Sequence, residues 1–389
     1  MDYNMRYALY PDHVFTPSGI VDNTFVVIRD GKIEALTTTE PKGCKIICLE
    51  GQSLMPGFID IHIHGRKGSD VMDATYEALQ HIADALPQTG VVGWVGTTVT
   101  APWQDIIDAL SQVRYFTQGT QSQGAELLGS FLEGPYFTEP YRGSHPTAYL
   151  KSPSITGLEE IKKVAGSSLI RVAVAPEADG AMDAISWLSA NQIKTSVAHT
   201  DATFAQVTEA FEHGADCGVH LFNGMRGLHH REPGCCGAVL YHDMLAELIA
   251  DGVHVNPVMM QLAYRMKGYQ GIALVTDCMR AGGLDDGDYQ LGAQNIRVTN
   301  GEARTVCGSL AGSTCSLDQA LRNMVFETKV PVWDAVQMAT AVPANYLGLA
   351  DRLGSIAEGM EASLIVMNKE LEVQGTLIKG EWAYLATTK

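Results

Sequence analysis

Long apolar runs, an excess of basic residues and paired-cysteine motifs are all missing from this 389-residue chain. No stretch reaches the roughly 20 apolar residues of a membrane-spanning helix. The opening segment, Met1 to His13, lacks the charged start and apolar run of a secretory signal. Lys and Arg number 27 against 44 Asp and Glu, a formal charge of −17. That balance argues against non-specific binding to nucleic acid or to an anionic membrane, both of which need basic surface. It also means that an anionic substrate would need a local cluster of cationic groups. The eight cysteines include no CxxC pair. Their one adjacent pair, Cys235 and Cys236, is poorly placed to bridge itself, so the pattern predicts reduced thiols and a cytoplasmic location. Cys278 reads as a small buried hydrophobe rather than a nucleophile. No GxGxxG turn follows an early strand, which counts against an open dinucleotide-binding sheet.

What is present points to a soluble globular enzyme: 46% of residues are apolar and 18% charged. The length suits one large domain plus a smaller one. Near the start, FVVIRDGKIEAL sets the Asp30-Gly31 pair between two β-rich runs, a strong hairpin signal. Near the end, ASLIVMNKELEVQGTLIKGEWAYL again reads as short strands. The expectation is a small β domain built from both termini (residues 1–55 and 350–389) around an α/β domain at 56–349. Within that middle, eight strand-like runs alternate with helical patterns: FIDIHIHG, VVGWVGTTVT, LLGSFLEGP, LIRVAVAPE, IKTSVAHT, CGVHLFNG, LAELIADGVH and GIALVTD. Ala78, Leu79, Ile82, Ala83 and Leu86 recur at helical spacing, as do Phe204, Val207 and Phe211. REPGCCGAVLYHD holds at most a short helix. Eight such units describe a (β/α)8 TIM-like barrel.

The polar residues that end these runs carry the chemistry. His62 and His64 close the first run, Glu133 the third, His199 the fifth, His220 the sixth and Asp277 the eighth. Residues two apart on a strand point the same way, so both imidazoles of His62-x-His64 can face one cation. HxH alone is a weak signal, because a lone strand-end histidine is commonly structural. Six ligand-type residues at the same end of one barrel are another matter. They exceed the needs of a single catalytic metal, and Glu133 has two oxygens with which to bridge two ions. Asp277 reads as a turn residue in isolation, and as a proton carrier once metal ligands surround it.

The segments PGFIDIHIHG, LEGPYFTEPYRGSHP, AHTDAT, HLFNGMRGLHHREPG, IADGVHV, LVTDCMRAGG and GSLAGSTCSLDQALRN together resemble the N-acetylglucosamine-6-phosphate deacetylases of the amidohydrolase superfamily. The resemblance implies a (β/α)8 barrel with a β-sandwich, and release of acetate from N-acetyl-D-glucosamine 6-phosphate. It implies one metal on Glu133, His199 and His220, and a second on His62, His64, Glu133 and Asp277. Zinc is the first candidate, with iron, cobalt or manganese as alternatives. Asp277 would act as general base and then acid toward a metal-activated water, and His145 would polarise the acetyl carbonyl. Asn223, the Gly224 backbone and Arg231 would bind the substrate's phosphate, and His254 would be a further substrate contact. In a homodimer, Arg231 and His254 would do so from the neighbouring subunit. Ala198, Phe222 and Gly224 depart from common family residues without removing a ligand. HLFNGMRGLHHREPG equally resembles the N-acetylgalactosamine-6-phosphate deacetylases, so the sugar epimer stays open. A cyclic-amide hydrolase, a deaminase, or a barrel serving only for binding are the rival readings.

Overall fold

A strand buried on both faces reads as a continuous apolar run, and eight such runs build the centre of the protein. In the computed structural model, residues 6–119 and 124–387 are described. The runs become β1 (Phe58–Ile63), β2 (Val91–Thr97), β3 (Glu126–Leu132), β4 (Leu169–Val174), β5 (Lys194–Val197), β6 (Ala215–Gly218), β7 (Leu245–Ile249) and β8 (Ile272–Val275). They pair in sequence order, and every pairing is parallel. The circle closes between the ends of β1 and β8. There the Asp277 N–H donates to His62 O and the His64 N–H to Cys278 O, both at 2.9 Å. One apolar cluster draws residues from every strand or its end, among them Ile59, Val95, Phe131, Ala173, Ala198, Val219, Ile249 and Val275. This is the barrel's packed interior. Val342, Ala344 and Leu353 join it and close the end at which the strands begin.

Helices follow the strands in turn: α1 (Tyr76–Ala85), α2 (Trp103–Gln118), α3 (Ile155–Ala165), α4 (Ala181–Ala190), α5 (Phe204–Glu212), α6 (Gly234–Tyr241), α7 (Pro257–Lys267) and α8 (Leu317–Phe326). Their starts carry the expected chemistry. Thr203 and Gln206 form a capping box at α5, and Asn256 caps α7 ahead of Pro257. As the sequence indicates, α6 is short. Among the described residues, no helix is long and apolar enough to cross a membrane.

Between β8 and α8 lies an element that the sequence reading did not anticipate. It is a three-stranded antiparallel sheet of β9 (Gly287–Leu291), β10 (Gln294–Thr299) and β11 (Glu302–Thr305). Its inner face (Leu291, Ile296, Val298) packs on Met279 and Ala281 after β8 and on Val99 after β2. It therefore sits over the end of the barrel where the strands finish.

The two termini meet in a second sheet of eight strands, mostly antiparallel. Lys45–Pro56 pairs with Leu364–Met367, setting Leu54 opposite Val366, and this pairing ties the chain's ends together. The Asp30-Gly31 hairpin forms as its sequence predicts, with φ of 50° and 75° at the two turn residues. The sheet curls over a core of Leu9, Val26, Ile28, Ile33, Leu54, Leu364 and Leu377. At the seam only glycine fits position 31, since a Cβ there would lie 2.8 Å from the Lys379 carbonyl oxygen.

Candidate metal centre and active site

Each of the six ligand-type residues stands at or just beyond the end of its strand, and the structure brings all six together. The organising group is Glu133, which is 2% exposed. Its Oε2 lies 3.1 Å from His64 Nε2 and 3.4 Å from His62 Nε2. Its Oε1 lies 3.2 Å from His220 Nε2 and 3.5 Å from His199 Nε2. Asp277 Oδ1 faces the first pair, at 3.1 Å from His64 and 3.5 Å from His62. One carboxylate thus has an oxygen toward each of two groups of ligands. The backbone is bent to achieve this: His199, His220 and Asp277 adopt φ of 44°, 34° and 48°. Such conformations cost non-glycine residues about 1–3 kcal/mol each and gather at functional sites.

Outer contacts fix how the imidazoles face. Nδ1 of His62 meets Glu247 Oε2 at 2.9 Å, and Nδ1 of His64 meets Thr97 O at 3.1 Å. Nδ1 of His199 meets Tyr141 O and that of His220 meets Asn223 O, both at 3.0 Å. Carbonyls and carboxylates only accept, so Nδ1 carries a proton in each, which leaves Nε2 as the nitrogen that faces inward and would ligate a cation. Imidazoles that ligate metals are commonly held by their other nitrogen in this way. Among the described residues His62 Nε2 is buried without a hydrogen-bond partner, and the Nε2 atoms of His199 and His220 stand 3.2 Å apart. Facing lone pairs at that separation repel unless positive charge lies between them. The donor set fits one or two divalent cations.

The electrostatics agree. Burial works against charge on His62 and His64, yet the carboxylates of Glu133 and Asp277, with Glu247 beside His62, push both upward, His64 to about 10. Burial would raise Glu133, but the imidazoles around it hold it well below the usual carboxylate range; Asp277 is lowered in the same way. A cluster that draws protons this strongly is electrostatically suited to a cation in their place.

His145 differs from the ligand histidines. The Thr100 backbone N–H points at its Nδ1 at 3.4 Å, with the Thr100 hydroxyl at 2.8 Å. A backbone N–H can only donate, so Nδ1 is the acceptor and the proton lies on Nε2. That Nε2 is 3.1 Å from His199 Nε2. Glu133, His145 and His199 stand close enough to form a ligand group of their own, as do His62, His64 and Asp277. With its proton on Nε2, His145 is poised to donate a hydrogen bond into the site. Burial, first, and the neighbouring His199 hold it neutral.

A cleft of about 360 Å³ opens above these groups, and Asn223, Gly224 and His254 line it. The placement of His254 corrects one expectation. It lines its own chain's cleft, held by a 2.7 Å contact from Nδ1 to Asp251, because β7 delivers residue 254 to the same barrel end as the metal-type ligands. Arg231 lies on an exposed loop and is absent from the cleft wall of its own chain. Three further groups went unnoticed in the sequence. Arg171 and Glu247, fully buried, form an ion pair with 2.6 Å between Nη2 and Oε1, and Glu247 in turn holds His62. Their signal was a lone charge inside each of two apolar runs, LIRVAV and LAELI. The third, Arg304, belongs to the sheet between β8 and α8 and reaches the cleft wall. All eight cysteines are free, and burial pushes the Cys278 thiol up to about 11, which disfavours the nucleophilic thiolate.

Comparison with known proteins agrees with this geometry. The Amidohydrolase family pattern matches residues 53–383. The chain is 40% identical over 369 residues to the N-acetylglucosamine-6-phosphate deacetylase of Vibrio furnissii, covering 94% of this chain and 92% of that protein. It is also 40% identical over 380 residues to the N-acetylgalactosamine-6-phosphate deacetylase of Escherichia coli O157:H7, covering 97% and 100%. Among solved structures, a Mycobacterium smegmatis N-acetyl-D-glucosamine-6-phosphate deacetylase in complex with N-acetyl-D-glucosamine-6-phosphate superposes with a TM-score of 0.93. Its identity is 30%, over 97% of this chain and 99% of that one. Barrel, convergent ligands and relatives agree that this chain belongs to the amidohydrolase family, in the branch that holds the amino-sugar-6-phosphate deacetylases.

Proposed function

We propose that the protein is a metal-dependent deacetylase that hydrolyses N-acetyl-D-glucosamine 6-phosphate to D-glucosamine 6-phosphate and acetate. The observation that carries this reading is the shared Glu133 carboxylate, with one oxygen toward His62 and His64 and the other toward His199 and His220. Glu133, His199 and His220 would hold one cation, and His62, His64, Glu133 and Asp277 a second, with zinc the first candidate. When bound, a divalent cation supplies Lewis acidity that eases deprotonation of water and polarisation of a carbonyl.

The chain's own residues do the rest. Asp277 takes the proton of the attacking water as its oxygen bonds to the acetyl carbon. His145 donates its Nε2–H to the carbonyl oxygen as negative charge develops there. Asp277 then returns the proton to the sugar nitrogen, the C–N bond breaks, and acetate and the amine leave. Asn223, Gly224 and His254 hold the sugar against these groups. The absence of paired cysteines supports a cytoplasmic setting.

A homodimer is part of this reading, with Arg231 entering a neighbouring subunit's cleft. Val258, Leu262 and Met266 support it, as an exposed apolar stripe along α7, with Leu228 exposed on the same loop as Arg231. The galacto epimer is the second reading, favoured by the Escherichia coli O157:H7 relative, which the chain matches end to end.

Acetate release from N-acetylglucosamine and N-acetylgalactosamine, each with and without the 6-phosphate, tests the proposal. The gluco phosphosugar should turn over fastest, with sedimentation of the same sample showing two chains of 42.0 kDa. Preference for the galacto phosphosugar selects the second reading. Failure of all four with cation bound rejects both, and a fully active monomer removes the cross-subunit role of Arg231.

A further inference from the structure

β4 supplies none of the six ligand-type residues, yet the loop that leaves it carries a half-buried carboxylate, Glu177, on which the neighbouring loops converge. Its Oε1 accepts from the Thr138 hydroxyl and, at 2.7 Å, from the Asp201 N–H; its Oε2 accepts from the Thr200 hydroxyl. Thr138 belongs to the loop that begins at Glu133, and Thr200 and Asp201 directly follow His199. The loop after His220 joins through Asp201, whose Oδ1 accepts from Arg226 Nε at 2.8 Å. Main-chain bonds run along the same seam, from the Thr138 N–H to His199 O at 3.3 Å and from the Thr200 N–H to Gly224 O at 3.0 Å.

His199 needs such a frame. Its φ of 44° is a left-handed conformation that persists only where the surroundings over-determine it. Its ring is oriented by Tyr141 O, in the short turn Glu139–Tyr141 that Thr138 opens. The chain leaving His199 and the turn that orients its ring are thus tied to one carboxylate. All three donors to Glu177 are uncharged. What it supplies there is hydrogen-bonding reach rather than a counter-charge, and an amide of the same length keeps most of that reach.

We propose that Glu177 is a positioning residue for the His199 half of the centre. By joining the loops after β3, β4, β5 and β6 it holds His199 where a cation can be ligated, without itself touching cation or substrate. The proposal rests on the metal-dependent reading given above. It is tested by titrating chelator-stripped wild-type, Glu177→Ala and Glu177→Gln protein with zinc, reading bound metal directly and acetate release in parallel. Thermal unfolding of the stripped proteins measures any purely structural loss. Glu177→Ala should raise the zinc concentration needed for half-occupancy by at least about tenfold, the lower end of the effect of removing support from a metal ligand. Glu177→Gln should recover most of that affinity. Should Glu177→Ala fail to fold, Thr200→Val removes one of the three donors at nearly constant shape and should shift zinc binding in the same direction. Wild-type zinc affinity in Glu177→Ala, or in Thr200→Val where that variant stands in for it, overturns the proposal whatever the change in melting temperature. Glu177→Gln as impaired as Glu177→Ala overturns it too. Either result leaves the deacetylase reading intact, whereas wild-type protein that binds no zinc and turns over without it overturns both.

Discussion

Replacing Asp277 by Asn is expected to lower kcat at least about 10³-fold, toward the upper range for loss of a general acid–base group. The change is nearly isosteric and keeps an oxygen toward His64, which Asp277 meets at 3.1 Å. It removes the carboxylate that, in the proposed mechanism, takes a proton from water and returns it to the leaving nitrogen. Loss of a ligand is the competing explanation, so cation content is measured on the same sample. A cation-loaded variant with near-wild-type turnover would contradict the role given to Asp277. A variant that is both inactive and cation-free would point to ligation instead. The left-handed backbone at this position (φ 48°) makes Asn a suitable choice, because Asn tolerates that region better than most residues.

The second large effect falls on stability. Arg171 is fully buried, donates from Nη1 to Ile61 O at 2.9 Å, stacks 4.1 Å from the Phe131 ring and pairs with Glu247. Burial disfavours both charges. The partner outweighs it in each case, raising the guanidinium and lowering the carboxylate. Breaking one half of such a pair strands a charge in the barrel interior, so Arg171→Met should cost about 3–5 kcal/mol in chemical denaturation. The double variant Arg171→Met/Glu247→Leu should recover much of that loss. It should not recover activity, because His62 loses the Glu247 oxygen 2.9 Å from its Nδ1 and with it the orientation of Nε2. A single variant as stable as wild type would show that the pair contributes nothing net. A double variant with full activity would show that His62 needs no such support.

How far the sequence reveals these features depends on how local the physics is. The eight barrel strands are legible because burial on both faces leaves an unbroken apolar run. The residues that end them are legible because a polar group there has nowhere to go but the mouth of the barrel. The Asp30-Gly31 turn is decided by two adjacent residues. The sheet of β9 to β11 carries a similar signal at Asn300-Gly301, where φ is 53° and 76°. Its strands, however, are half exposed and interleaved with charges such as Asp288, Arg297 and Glu302, which masks the alternation. The position of Arg304 follows only once that sheet packs on Val99 and Met279, a contact between distant segments. The Arg171–Glu247 pair likewise depends on closure of the barrel, which brings β4 and β7 to one interior. His254 was expected in a neighbouring subunit's site, and only the course of the chain after β7 places it in its own.

The most direct measurement is acetate release from N-acetylglucosamine 6-phosphate by chelator-stripped protein, titrated with zinc and followed alongside bound metal. Stripped protein should be inactive, and activity should return in step with the cation bound, levelling at one or two per chain. Full turnover by protein shown to hold no cation would contradict the central claim that His62, His64, Glu133, His199, His220 and Asp277 form a hydrolytic metal centre.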